Sequence, residues 1–174
     1  MRTLLIILAI TTLFGCEEEN ENMDGFNLAN QIYISYKNVD RQNLFDNLTE
    51  GSFSIEAMKL FYLVNDEPIE VTIENGYNMG SIELTSDNIL EVFTNPSSSN
   101  IIEETSEYDI VENIAYLELS ETDTDTIKTH SLSKNLSHST ATGNCCYFVV
   151  SKVWYNGELV WEIETGGVIE IMKK

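Results

Sequence analysis

The sequence predicts an all-β fold, a sandwich of two sheets in a single domain, and three observations lead there. Apolar residues recur with period two in segment after segment, turn-forming residues interrupt those segments at short intervals, and no stretch carries a helical stripe longer than two turns. The 174 residues suit one domain large enough to bury a core without covalent staples. With 9 Lys+Arg against 29 Asp+Glu, the net charge of −20 repels phosphate backbones and sets nucleic acid aside as a partner.

At the start, Met1-Arg2-Thr3 is weakly positive, and Leu4 to Phe14 is an apolar run interrupted only by Thr11 and Thr12. A spanning helix needs about 20 apolar residues, so this run has the size of a signal-peptide core. It ends in Leu13-Phe14-Gly15-Cys16, which resembles the lipobox of bacterial lipoproteins. That resemblance implies cleavage after Gly15, a diacylglyceryl group on the Cys16 thiol, and a membrane as partner through the anchor. Each buried methylene contributes about 0.8 kcal/mol, and two or more chains hold a protein stably. The acidic run Glu17-Glu18-Glu19-Asn20-Glu21-Asn22 resembles the surface-export signal of Bacteroidota-type lipoproteins; as composition alone it is a solvated tether. Residues 1–15 are therefore expected to be a signal peptide, 16–28 an acidic tether and 29–174 the folded domain, held at the outer membrane or cell surface.

Within that domain, Ile32, Ile34 and Tyr36 alternate with Tyr33 and Ser35 as a first strand. Leu44-Phe45 reads as a hydrophobic plug in a polar loop, and Phe53 to Met58 as one helical turn with Ser54 as its cap. Lys59 to Val64 is nearly all apolar, which suits a central strand. After the turn Asn65-Asp66-Glu67-Pro68, Ile69 to Glu74 alternates cleanly, and Asn88 to Phe93 forms a further strand. Tyr108 to Leu119 is one long strand, and Thr126 to Leu132 another beyond the polar turn Glu121 to Asp125. The run from Cys145 to Tyr155 meets Glu158 to Ile163 across Asn156-Gly157, the dipeptide that favours a two-residue type I′ hairpin. Strict pairing then sets Tyr155 opposite Glu158, Trp154 opposite Leu159, Val153 opposite Val160 and Lys152 opposite Trp161. Phe148, Val150, Trp154, Leu159, Trp161 and Ile163 share the expected core face, which turns Val149, Val153, Tyr155 and Val160 the other way. Gly166-Gly167 precedes a last strand ending at Met172. Strands this short and numerous fit the immunoglobulin-like type of β-sandwich, without the Cys…Trp…Cys spacing of antibody domains. The Trp154-Tyr155-Asn156-Gly157 hairpin with Asp125-Thr126-Ile127-Lys128 is also similar to small lipoproteins of the same bacterial group. That likeness implies a fold and an address and carries no activity.

Chemistry is sparser. Cys145-Cys146 is the most unusual pair, and adjacent Cα atoms about 3.8 Å apart make a vicinal disulfide strained and reducible. Such a bridge is the basis of an alternative reading as a redox or hydrolytic enzyme. His130, His138, Cys145 and Cys146 have ligand types for zinc but no standard spacing, so no metal and no cofactor are expected. Asp123 and Asp125 lack the glycine turn and bidentate glutamate of a calcium loop and read as a solvated turn. Tyr147 and Tyr155, on the face opposite the expected core, are the candidates for contact with a ligand. The functional expectation is a lipid-anchored binding module for a glycan or an envelope protein, with a purely structural envelope component as the other alternative. Cys16→Ser is expected to abolish both metabolic acyl-chain labelling and retention of the chain in the membrane fraction; a variant that keeps both would refute the processing expectation.

Overall fold

The computed structural model describes residues 27–72, 82–94, 100–134 and 147–173. Its strands, in chain order, are β1 (Asn27–Ala29), β2 (Gln31–Lys37), β3 (Lys59–Val64), β4 (Glu67–Glu70), β5 (Ile82–Leu84) and β6 (Leu90–Phe93), followed by β7 (Ile101–Glu104), β8 (Asp109–Ser120), β9 (Asp123–Lys134), β10 (Tyr147–Tyr155), β11 (Glu158–Glu162) and β12 (Ile169–Met172). The large sheet runs β1-β10-β9-β8-β3-β4, with β11 also on β10 and β7 also on β8; the small sheet runs β12-β2-β6-β5. This is the all-β, two-sheet sandwich that the alternation predicts.

The core lies between the sheets because each strand turns one set of alternate residues inward. Ile32, Ile34 and Tyr36 of β2, Leu90 and Val92 of β6, and Ile169 and Ile171 of β12 face Leu60 and Tyr62 of β3, Leu117 and Leu119 of β8, Ile127 of β9, and Val150 and Val153 of β10. Leu44 and Phe45 plug one end, as their sequence suggests. The turn after Ser54 is a single 3-10 turn, Ile55–Ala57, without a side-chain bond from Ser54 to its backbone. The β3–β4 hairpin differs from expectation: Asn65 and Asp66 both take positive φ, 51° and 65°, so they alone form the turn and β4 begins at Glu67. Pro68 is tolerated there because β4 is an edge strand. The chain passes from the large to the small sheet at Asn30, pinned by Thr94 Oγ1 donating to the Asn30 carbonyl at 2.9 Å.

Two bulges decide which side chains face in. Ser151 is the extra residue of β10 against β9, since Val150 pairs with Ser131 and Lys152 with His130. Val160 is the extra residue of β11, since Trp154 pairs with Leu159 but Val153 with Trp161. Each bulge reverses the alternation beyond it. Trp161 packs against the core as expected, but the other faces are corrected: Val153 is 1% exposed, Tyr155 packs against the core, and Trp154 turns outward.

Asp125 is a buried polar group bonded to several elements, 1% exposed and part of β9 rather than of a solvated turn. Its Oδ2 accepts the Tyr36 hydroxyl of β2 at 3.0 Å. Its Oδ1 accepts Asn156 Nδ2 from the β10–β11 turn at 3.1 Å and Lys173 Nζ, just past β12, at 2.8 Å. Lys173 also donates to Asp123 at 2.7 Å, and its own backbone N–H bonds the Lys37 carbonyl at 2.8 Å. Around this clasp the Tyr36 ring meets Phe45 and Phe53 edge-on, both at 6.0 Å, and Tyr155 at 6.3 Å.

Elsewhere in the interior, Asn113 and Thr129 have side-chain atoms without a partner among the described residues and line a cavity of about 10 Å³. That volume is at the lower limit for one water molecule.

Removing one member of a buried ion pair strands the other, so Lys173→Met should lower unfolding free energy by about 3 kcal/mol in urea. Burial, and then the adjacent Tyr155 and Asp125, push Tyr36 well above its ordinary value of 10.0; burial and then Asp125 push Tyr155 the same way. Tyr36 therefore ionises more readily in the unfolded chain. Its contribution is complete below about pH 10 and falls by about 1.4 kcal/mol per pH unit above it, with Tyr155 adding in the same direction. Urea unfolding between pH 8 and pH 11 should show this loss, and Tyr36→Phe should reduce its slope.

Candidate functional site

The outer face of the large sheet is built by the strands that carry the core on their other side. Because Ile127 and Thr129 are buried, their neighbours Lys128 and His130 must point out of β9. Lys128 pairs across to Ile114 of β8 and to Trp154 of β10, and His130 pairs to Glu112 and Lys152. Farther across, Phe61 of β3 stands opposite Tyr116 of β8, each flanked by inward, buried neighbours.

Trp154 is the centre of this face. Its half-buried ring has the Lys128 ammonium 4.4 Å from its centroid and the His130 ring 4.4 Å away at 57°. His130 Nε2 and Glu112 Oε2 are 3.1 Å apart, and Lys128 Nζ lies 3.5 Å from the same oxygen. One carboxylate thus holds both groups against the indole. Lys152 ion-pairs with Glu162 at 2.8 Å, and that hydrogen bond, with the charge behind it, pushes the lysine pKa up. Leu159, directly opposite Trp154, is 49% exposed. The result is an aromatic and apolar strip crossed by cations, in a chain with only 9 Lys+Arg. An aromatic ring held by fixed neighbours loses little freedom on binding, which suits a contact surface.

The sequence-derived candidates fare differently. Tyr155 is not on the outer surface: after the Ser151 bulge its ring packs against Tyr36 and the core, and its hydroxyl is buried beside Asp125. Tyr147 opens β10, where its backbone pairs with Asn27 and Lys134; its side chain lies outside the described residues. Cys16, Cys145, Cys146 and His138 also lie outside them. Asp123 and Asp125 hold the ammonium of Lys173. Among the described residues no group of three or more His, Cys, Asp or Glu side chains is placed to hold a metal ion. No described helix is long and apolar enough to cross a membrane. Sequence reasoning missed the role of Lys128, His130 and Trp154 together. The alternation from Ile127 to His130 signals the first two, whereas Trp154 joins them only through the bulge.

Compared with protein-family models, curated proteins and solved structures, the chain finds no match in any of the three.

Since these groups are partly exposed, their removal should cost little: Lys128→Ala and Trp154→Ala should each lower stability by about 1 kcal/mol or less in urea. Both variants then remain folded and report on binding alone.

Proposed function

We propose that this chain is a binding module held at the outer membrane or cell surface by a lipid on Cys16, and that it engages a glycan or an envelope protein through the outer face of the large sheet. The observation that carries this reading is Trp154, half-buried and bracketed by Lys128 and His130 beside the exposed Leu159. Tryptophan is among the residues that dominate contact energetics at recognition surfaces. The exposed part of the indole together with Leu159 suits the apolar face of a sugar ring, while Lys128 and Lys152 suit its hydroxyl or carboxylate substituents. The immunoglobulin-like subclass of the sandwich belongs to the same proposal, supported by two facing, mostly antiparallel sheets.

Glycan arrays probed with the full chain and with Trp154→Ala test it. Retention of a glycan class by the wild-type chain, weakened at least tenfold in Trp154→Ala, is the expected outcome; the envelope-protein arm uses pull-down from membranes with the same pair. Equal retention by both chains, or none by either in both formats, would overturn the assignment of this face.

A further inference from the structure

The clasp around Asp125 assembles the parts of an amide-exchange reaction that the binding face does not use. Lys173 offers an amine and Asn156 a carboxamide, and Asp125 Oδ1 touches both, at 2.8 Å and 3.1 Å. Asn156 Oδ1 accepts the Thr126 backbone N–H at 2.7 Å, so a donor already stands where negative charge gathers when the carboxamide carbon is attacked. Asp125 Oδ2 is fixed by the Tyr36 hydroxyl, and the acid itself is 1% exposed beside the rings of Tyr36 and Tyr155. Asn156 lies at the surface, which gives a departing ammonia an exit.

We infer that the folded chain joins Lys173 to Asn156 through an intramolecular amide, with Asp125 as the catalytic acid and base. Asp125 accepts a proton from the Lys173 ammonium, and the freed Nζ lone pair attacks Asn156 Cγ. The oxyanion forms on Oδ1 against the Thr126 N–H, and Asp125 passes its proton to Nδ2. The Cγ–Nδ2 bond then breaks as the carbonyl re-forms. Nζ keeps one hydrogen, a second leaves with Nδ2 as ammonia, and the third passes from Nζ to Asp125, which ends as a neutral acid now that the ammonium it faced is gone. No oxidant, reductant or cofactor enters. Asp123, the other carboxylate on Lys173, is a poorer acceptor because an ionised carboxylate repels a nucleophile and water is the group it must expel.

Intact mass of the full chain, with digestion after glutamate, tests this directly. Cleavage at Glu158 and Glu170 puts Asn156 and Lys173 on separate peptides, so linkage is unambiguous. The expected result is a chain lighter by one ammonia, with the peptide beginning at Ile171 joined to the one ending at Glu158. Lys173→Arg keeps the cation but removes the amine nucleophile, and should abolish the ammonia deficit. Asp125→Asn should also leave the peptides separate, and Lys173→Arg guards against that variant failing to fold. Separate peptides in the wild-type chain overturn the proposal, as does a loss of one water mapped to Asp123. So does an ammonia loss that persists in Lys173→Arg, which would mark cyclisation at Asn156-Gly157 instead. None of these outcomes bears on the Trp154 face.

Discussion

Burying the carboxylate of Asp125 is the constraint from which much of the architecture follows. An ionised carboxylate inside a sandwich is tolerable only when its oxygens are filled with donors and an opposite charge lies close. The donors come from β2, from the β10–β11 turn and from the end of β12, far apart in sequence. Satisfying one acid therefore sets how the small sheet sits on the large one at this end. It also explains why the aromatic rings of Tyr36, Phe45, Phe53 and Tyr155 gather there: they fill the space around the clasp and keep water from competing for its bonds.

The large sheet spends its two faces differently. Inward, Leu117, Leu119, Ile127 and Val153 are almost fully covered. Outward, the same strands carry Glu112, Lys128, His130 and Trp154 in mutual contact. Only the bulges at Ser151 and Val160 make both arrangements compatible with a single hairpin. The Ser151 hydroxyl donates to the His130 carbonyl at 3.0 Å, and its carbonyl accepts the Ile163 N–H at 2.9 Å, so the irregularity leaves both of these groups paired. The arrangement of the outer face and the packing of the inner one are thus coupled through backbone register.

Strand content was legible because alternation is local: Ile32, Ile34 and Tyr36 announce β2 without help from any partner. The same holds for β3, whose limits Lys59–Val64 match the apolar run. Strands without that signal escaped notice. Asn27–Ala29 is too short to show a period, and Ile101–Glu104 is exposed throughout, so burial never sorts its residues into two classes. The bulges have no side-chain signature, and one extra backbone residue moved Trp154 out and Tyr155 in. Asp125 was readable as a carboxylate in a polar stretch but not as a buried one, since Tyr36 and Lys173 reach it only after the sheets have stacked.

Pairing direction at the two ends of the described chain has a mechanical consequence. β1 runs parallel to β10, and β2, which follows it directly, runs parallel to the final strand β12. In a parallel pair the beginning of one strand and the end of the other lie at opposite extremities. Tension drawn between residue 27 and residue 173 must consequently slide β2 along β12 in shear, straining all their rungs together, where antiparallel neighbours pulled from one end would unzip rung by rung.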